Sequence, residues 1–388
     1  MQQISPPAKA KIFFPNLDGL RFFSFLVVFL YHGSLSIFSY LKDDSTLFRV
    51  LKFLFQHGNL GVNFFFVLSG FLITYLLIKE KEITGTVHVP NFYVRRILRI
   101  WPLYYLCVFL GFVAFGILKK MSHEPIAENA NPIFYLLFSA NFDIMHTWPD
   151  KPDALLLSVL WSVAVEEQFY LTWPLILKIV PLKYFKYVFP SIIAFSLIFR
   201  SFHTGDNDHE FAIRYFHTFS VIGDMALGGL FAYLVSYENK FKRFIINIPK
   251  SGLILLYLLT LGVTLYKDVL FPPGIPVIFE RLVIAVFFGM IILEQNYAKN
   301  SFFKMSRFKL MSKLGIYTYG LYCLHFLGLY FAIKVMNIMR LNGSLPWVAF
   351  AMISLALMLS VIISLMSYHF YEKWFLRWKD KFAFIVKK

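Results

Sequence analysis

Two ionisable side chains stand in one long apolar segment near the start of the chain, and their spacing makes them the first candidates for chemistry. Arg21 and His32 are eleven residues apart, so in an α-helix they share one face, about 16 Å apart along the axis. A histidine inside a bundle suits proton transfer, because its charge changes near neutral pH. Asp18 can cap this helix or pair with Arg21. The alternatives are an arginine that anchors the helix end in the headgroup region and a histidine with only a structural hydrogen bond.

A second candidate group is basic: Arg95, Arg96 and Arg99 stand directly before an apolar and aromatic segment. Arg96 and Arg99 are three residues apart, so their side chains project together from a helix. Guanidinium groups bind phosphate oxygens bidentately, which makes this fork a candidate phosphate site at the cytoplasmic surface. The alternative is a positively charged anchor beside an aromatic belt.

A pair of carboxylates, Glu166 and Glu167, begins one to two turns inside another apolar segment. Six residues of helix place Glu166 about 9 Å from the outer end of that segment, where it approaches His32 from the opposite side. A carboxylate beside an imidazole can select its tautomer and raise its basicity. The alternative is an acidic pair at the membrane surface.

Isolated polar residues inside other apolar segments complete the candidates. Asn63 lies among small residues, Gly61, Ser69 and Gly70, that permit close helix packing. The sequence contains no phosphate-binding glycine loop, no nucleophile elbow and no cysteine and histidine spacing typical of a metal site, so we predict no metal. A structural role accounts equally well for each of three further ionisable residues, which are Asp224, His325 and Glu372.

The elements that must position these residues are membrane-spanning helices. The chain has 388 residues, of which 58% are hydrophobic and 15% charged, and its mean hydropathy is +0.63. A soluble protein of this composition could not cover its surface with polar groups. Ten segments are long enough to cross about 30 Å of hydrocarbon. They are 20–41, 60–79, 98–118, 158–180, 184–200, 214–236, 252–267, 275–295, 314–335 and 345–369.

The distribution of positive charge orients these segments. The net charge is +16, and 25 of the 38 Lys and Arg residues fall at the termini and in alternate connections, on one side of the membrane. Basic residues are retained on the cytoplasmic side, so we expect both termini there. The segment 131–142 is too short to cross and is expected to re-enter or to lie at the interface. We therefore predict an all-α polytopic membrane protein that forms one domain over 1–388, with its core at about 15–375.

Taken together, the candidate residues resemble the motifs of the acyltransferase-3 family of integral membrane acyltransferases. Asn63 stands where an Asp is usual in that family, and Ile222 stands where an Arg commonly precedes Asp224. The terminal Glu-x-Pro becomes Glu372-Lys373-Trp374. Many relatives carry a fused SGNH hydrolase-like domain, and we expect none in this chain. Six blocks carry the resemblance, in the family's order: Leu17–Arg21, Arg21 with His32, Gly61–Phe71, Arg96 with Arg99 before Pro102, Ser162–Pro174, and Tyr319–His325.

The resemblance implies transfer of an acyl group, often acetyl, from cytoplasmic acyl-CoA to a hydroxyl of an envelope polysaccharide or lipid-linked sugar. Arg96 and Arg99, with Arg95 and Arg21, would hold the CoA phosphates. His32 would act as general base or carry the acyl group, and Glu166 would orient His32 or bind the sugar. The resemblance also implies a bacterial-type cytoplasmic membrane and no nucleic acid partner, and it leaves the oligomeric state open. Supporting roles fall to Asp18, Asn63, Ser69, Glu167, Tyr170, Asp224 and His325.

Two other classes of function stay open on the residues alone. In a proton-coupled transporter, His32, Glu166 and Asp224 would form a proton relay across the membrane. The lack of internal repeats and of interrupted helices in matching halves speaks against that class. A lipid-sensing bundle without catalysis is the third possibility.

Overall fold

The computed structural model describes residues 10–38, 46–341, 346–382 and 385–386, and these form a helical membrane protein as predicted. The first half of the chain folds into ten helices within the described ranges. A π-helical turn, Leu110–Ala114, joins the fourth to the fifth, and 3₁₀ turns stand at Leu155–Val159 and Leu182–Tyr184. The ten are α1 Leu17–Phe38, α2 Thr46–Phe55, α3 Leu60–Thr84, α4 Val89–Phe109, α5 Phe115–Met121, α6 Pro132–Leu136, α7 Ala140–Thr147, α8 Leu160–Ile179, α9 Phe185–Ser201 and α10 Asp208–Phe216.

The second half contributes the remaining helices of the described chain. A second π-helical turn, Tyr368–Glu372, joins the last two, and 3₁₀ turns stand at Met305–Arg307 and Asp380–Phe382. The helices are α11 Thr218–Tyr237, α12 Asn239–Asn247, α13 Lys250–Leu265, α14 Lys267–Leu270, α15 Ile275–Tyr297, α16 Lys309–Gly315, α17 Thr318–Ile338, α18 Pro346–Ser367 and α19 Lys373–Lys379.

Seven continuous helical segments of the described chain are long and apolar enough to cross a membrane. The number rises to eight if α12 and α13, which meet at a bend of 91°, make one crossing. α1 and α8, with 22 and 20 residues, are outside that set. They coincide with the first and fourth predicted crossings, so the prediction of ten depends on them and on the bent pair. It stays a prediction.

Two short strands join the ends of the described chain. β1, Ala10–Lys11, pairs in parallel with β2, Ile385–Val386. This pairing brings the two ends to the same face of the bundle, which requires an even number of crossings between them. Which side of the membrane this face meets stays a prediction from the charge bias.

Close packing between α3 and α11 forms the centre of the bundle. A Cβ atom at Gly70 would lie 2.0 Å from the carbonyl oxygen of Met225, and one at Gly228 would lie 2.1 Å from that of Val67. Glycines at both positions therefore allow the two backbones to touch, which is how small residues act in membrane helices. α3 is buried on all sides over most of its length, whereas large apolar residues of the outer helices, such as Leu171, Leu258 and Phe350, are exposed for contact with lipid.

The segment predicted as too short to cross forms α6 and α7, which fold back against α4 and α8. Phe138, between them, has a φ of 53°, a costly left-handed conformation. Its ring stacks 4.2 Å from that of Tyr104, and its carbonyl accepts a 2.8 Å hydrogen bond from Gln168. Burial raises the pKa of Asp143 in α7, although the backbone N–H of Asn131 donates to its carboxylate. The loop is thus built into the bundle.

Candidate active site

The inner part of the site is the arginine fork of α4. Arg96 lies over the rings of Phe92 and Tyr170, with its guanidinium carbon 5.4 and 5.2 Å from their centroids. Its Nε is buried and has no hydrogen-bond partner in the described part of the chain. Arg99 makes no described hydrogen bond or ion pair, and its charge acts on Arg96, Arg21 and Glu372. The fork therefore presents guanidinium donors that the described protein leaves unused.

Asp18 and Arg21 form an ion pair at the start of α1, with Nη1 and Oδ1 2.6 Å apart. Pairing with Arg21, one of the two roles open to Asp18 in the sequence, is therefore present in the fold. The described bond uses only one of the two terminal nitrogens of Arg21, and the charge of Arg99 acts on this guanidinium.

Arg95, predicted to share in phosphate binding, has a different role in the structure. One terminal nitrogen donates to the backbone oxygen of Phe382 at 2.7 Å, and the other lies 3.1 Å from Oε2 of Glu80, which is buried. Adjacent residues of a helix point about 100° apart, so Arg95 faces α3 while Arg96 faces the interior. These contacts use one N–H of each terminal nitrogen of Arg95, and a share of Arg95 in phosphate binding stays a prediction.

The middle part of the site is a cluster around Glu166. The phenol of Tyr170 donates a 3.2 Å hydrogen bond to Oε2 of Glu166. The hydroxyl of Ser69, from α3, hydrogen-bonds to that phenol and to the same carboxyl group. Glu167 points another way: the indole N–H of Trp101 donates to its Oε2 at 2.8 Å, and its Oε1 is buried without a described partner. Three predicted residues thus meet on two helices, next to Arg96.

The outer part of the site is a histidine pair between α1 and α17. Nδ1 of His32 lies 2.9 Å from Nε2 of His325, and the two rings are nearly parallel. Nδ1 of His325 lies 2.7 Å from the backbone oxygen of Tyr322. A carbonyl oxygen only accepts, so this nitrogen carries the proton and Nε2 of neutral His325 accepts from Nδ1–H of His32. The chain of bonds leaves the lone pair of neutral His32 on its Nε2.

This hydrogen-bond chain gives His32 a partner other than the predicted one. The described contacts of Glu166 are with Tyr170 and Ser69, and the described hydrogen bond of His32 is with His325. His325 is therefore the partner that the structure shows for His32, and an orienting role of Glu166 stays a prediction.

Tyr322 connects the middle and outer parts of the site. Its hydroxyl lies 2.6 Å from that of Ser162 in α8. The charge of Glu166 acts on the phenol, and the ring of Tyr322 lies against that of His325. A polar column thus runs from Arg99 and Arg96, through Glu166, to His32. The column passes through a bundle whose other interior residues are mostly apolar.

Two other predicted residues lie apart from this column. Asn63 is buried, and its amide nitrogen has no partner in the described ranges. Asp224 pairs with Arg281, with Oδ2 and Nη2 2.5 Å apart, and both are buried. This ion pair belongs to a separate network on α9, α11 and α15, and no described contact joins Asp224 to His32 or Glu166.

Sequence reasoning missed Tyr322 and Arg281. Tyr322 stands three residues before His325 and shares its helical face, which was a usable signal. Arg281 was the counter-charge that a buried Asp224 requires, and its place inside an apolar segment was a second signal. Within the described residues, no group of three His, Cys, Asp or Glu side chains could hold a metal ion.

Comparisons with known proteins point to acyl transfer. The model of the acyltransferase-3 family, described as an acyltransferase domain, matches residues 14–366. The chain is 28% identical over 400 aligned residues to the O-acetyltransferase OatA of Staphylococcus aureus, which covers 97% of this chain and 59% of that protein. It is 30% identical over 236 residues to a putative O-acetyltransferase of the same species, covering 57% of this chain and 35% of that protein. No solved structure matches significantly.

Proposed function

The chain belongs to the acyltransferase-3 family, and on that premise we propose that it is a membrane-bound O-acyltransferase. The donor is cytoplasmic acyl-CoA, with acetyl-CoA as the first choice. The acceptor is a hydroxyl of an envelope polysaccharide or lipid-linked sugar, and the membrane is the cytoplasmic membrane of a bacterium. The chain spans about 59% of the length of its OatA relative, so the activity is argued from the residues present here.

The observation that carries the proposal is the hydrogen-bond chain from Tyr322 through His325 to His32. It supplies an imidazole whose Nε2 can accept a proton. The arginine fork at the other end of the column offers donors suited to phosphate. Arg21 and His32 are separated by about 16 Å of helix, a distance that an extended pantetheine arm can bridge between the CoA phosphates and the thioester.

The reaction follows from these positions. Nε2 of His32 takes the proton of the acceptor hydroxyl while the oxygen bonds to the thioester carbonyl carbon. The carbon–sulfur bond then breaks, and the CoA thiolate leaves with the proton from His32. His325 stabilises the transient imidazolium of His32, because the lone pair on Nε2 of His325 accepts the hydrogen bond from Nδ1–H of His32. Arg96 and Arg99 hold the phosphates, and Glu166 with Tyr170 lies along the path of the arm.

The same His32 nitrogen would receive the acyl group in a two-step route. In that route the thioester transfers its acyl group to Nε2 and releases CoA, and the acceptor hydroxyl then attacks the acyl-imidazole. Incubation with labelled acetyl-CoA but no acceptor distinguishes the routes. Label that stays on the protein and is lost in His32→Ala supports two steps, and an unlabelled wild type supports direct transfer.

The proposal is tested with inside-out membrane vesicles that contain the protein. Labelled acetyl-CoA is added outside, where the cytoplasmic face is exposed, and the label in the glycan fraction is counted. Vesicles with the His32→Ala variant, matched for protein content, are the control. We expect label in the glycan only with the wild type. Glycan that stays unlabelled despite correctly inserted wild-type protein would refute acetyl transfer, and equal labelling of sealed right-side-out vesicles would refute a cytoplasmic donor.

A further inference from the structure

A group of uncharged polar side chains lies beside the histidine pair, and their amide and hydroxyl groups take part in no step of the reaction described above. Asn59 stands directly before α3, and its side chain hydrogen-bonds to the phenol of Tyr215 in α10. The phenols of Tyr31 and Tyr322 are close enough to that of Tyr215 to interact electrostatically. These four residues, Asn59, Tyr31, Tyr215 and Tyr322, are called the outer cluster below.

The outer cluster is joined to His32 from two sides. Tyr31 is the neighbour of His32 in α1, and their ring centroids are 5.2 Å apart. Tyr322 is the residue whose carbonyl accepts the proton of His325, the partner of His32. A molecule bound at the outer cluster would therefore lie beside the imidazole of His32.

Unsatisfied polar atoms indicate that this cluster is built for a ligand. Oδ1 of Asn59 is buried and has no hydrogen-bond partner in the described chain, and neither has Nε of Arg281. The charge of Arg281 acts on the phenol of Tyr215, to which the side chain of Asn59 hydrogen-bonds. Buried acceptors and donors without partners are rare because burial removes their hydrogen bonds to water and the protein does not replace them. A bound molecule that both accepts and donates hydrogen bonds would satisfy them.

Aromatic rings form one wall of the same place. Trp161 is buried with its ring centroid 5.2 Å from that of Tyr215, and Phe211 stacks on Tyr215 at 5.5 Å with an angle of 10°. Aromatic rings beside an amide and several phenols match a sugar ring, which has an apolar C–H face and polar hydroxyl groups. Its C–H face packs on an aromatic side chain, and its hydroxyls exchange hydrogen bonds with neutral polar groups. The cluster's own side chains are uncharged, which favours a neutral polyol over an anion.

We infer that the outer cluster is the subsite for the accepting sugar residue. Asn59 and Tyr215 hold its hydroxyls, and the cluster presents one hydroxyl to Nε2 of His32. This inference rests on the proposed function for the statement that the bound sugar is the acceptor of the acyl group. The binding of a sugar at this place stands independently of the donor.

Kinetics test the subsite through the dependence on acceptor. Tyr215→Phe removes one hydroxyl and keeps the ring, and Asn59→Ala removes an amide that makes no cap hydrogen bond to α3. Each variant is assayed with acetyl-CoA and a panel of methyl glycosides of hexoses and N-acetylhexosamines. We expect the half-saturating glycoside concentration to rise about tenfold, the effect of one lost hydrogen bond. The half-saturating acetyl-CoA concentration should not change.

Tyr233→Phe is the matched control, because it makes the same change at a buried tyrosine that packs against Phe185 and Phe189. It should leave both concentrations unchanged. An equal rise in the control, or a change in acetyl-CoA dependence alone in Tyr215→Phe, would overturn the assignment.

Direct binding separates failure of the subsite from failure of the proposed function. Saturation-transfer NMR with the same glycosides needs no donor and detects weak binding to the full chain in detergent micelles. Binding to the wild type that weakens about tenfold in Tyr215→Phe supports the subsite even if acetyl-CoA proves not to be the donor. A wild type that binds none of the glycosides, or variants that bind them as the wild type does, would refute it.

Discussion

Arg96 and Arg200 are both arginines inside the helical bundle, and their surroundings differ in a useful way. All three guanidinium nitrogens of Arg200 donate hydrogen bonds, to the backbone oxygens of Ile278, Arg214 and Val277 at 2.9, 3.1 and 2.6 Å. In contrast, Nε of Arg96 has no described partner, and its guanidinium lies over two aromatic rings. The first arginine is saturated by the fold and the second is not.

The difference indicates which buried charges stabilise the fold and which await a ligand. Around Arg200, Glu280 and the Asp224–Arg281 ion pair balance charge on three helices. Around Arg96, Arg99 and Arg95 add positive charge and Glu167 adds one negative charge, so a bound anion would lower the local electrostatic free energy. Burial and charge alone do not separate these cases, because both arginines are buried in the bundle. The cases differ in how many guanidinium nitrogens make a described hydrogen bond.

The largest effect is expected at the end of the unsaturated column. His32→Ala removes the proposed base and should lower the rate of acetyl transfer by about 10²–10⁴-fold. The purified protein should keep its thermal stability. Labelled acetyl-CoA assays and thermal unfolding in detergent measure the two quantities, and the exposed His209→Ala is the control. Full transfer by His32→Ala would show that the column does not end in a catalytic group.

The next effect is expected on stability, in the saturated region. Arg200→Leu removes the described donor of the backbone oxygens of Ile278 and Val277 and one of the two cations beside Glu280, which should lower the free energy of unfolding by about 3–5 kcal/mol. Unfolding by heat or denaturant in detergent measures this loss. Arg243→Leu, at an exposed position, should change it by less than about 0.5 kcal/mol. An Arg200→Leu protein as stable as the wild type would contradict the statement that Arg200, with all its nitrogens hydrogen-bonded, stabilises the fold.

A smaller effect is expected from the fork itself. Arg99→Ala should raise the half-saturating acetyl-CoA concentration about tenfold, the effect of losing one charge-assisted contact to phosphate. Arg96→Ala should act in the same direction. The loss should shrink as salt rises, since salt already screens the attraction in the wild type. Acetyl-CoA titrations at two ionic strengths measure both trends, and an unchanged titration in the variants would contradict a phosphate site.

The smallest effect is expected at Arg95, which neighbours the fork in sequence but not in function. Arg95→Ala should change the half-saturating acetyl-CoA concentration less than about twofold, because the guanidinium is held by Glu80 and by the backbone of Phe382. The same titration compares it with Arg99→Ala. A loss as large as that of Arg99→Ala would mean that hydrogen-bond saturation fails to distinguish ligand sites from structural ones.

Local geometry made part of the site predictable. Asp18 and Arg21 pair as their three-residue spacing suggests, and Glu166 and Tyr170 meet at a four-residue spacing within α8. Membrane helices also follow from composition, because a chain this apolar can be covered only by lipid. The short segment 131–142 forms two helices that fold back into the bundle, as its length suggested.

Contacts between distant helices were beyond that reasoning. His32 could have met Glu166, His325 or Asp224, since each is an ionisable residue in an apolar segment. The choice of His325 depends on the depth and rotation of α17 beside α1, and sequence spacing contains neither quantity. The same holds for Arg95, whose partners Glu80 and Phe382 lie far from it in sequence.

The sequence by itself determined the solvent of this protein, its helical class and the residue types that can do chemistry, because hydrophobicity and helical periodicity are local properties. Only the tertiary structure decided which of those residues act together. Every buried polar group must find a partner, and helix packing determines which partner lies within 3 Å. The fold supplies protein partners for the side chains of Arg95, Arg200 and Asp224. It leaves Nε of Arg96 and Oδ1 of Asn59 without a described hydrogen-bond partner.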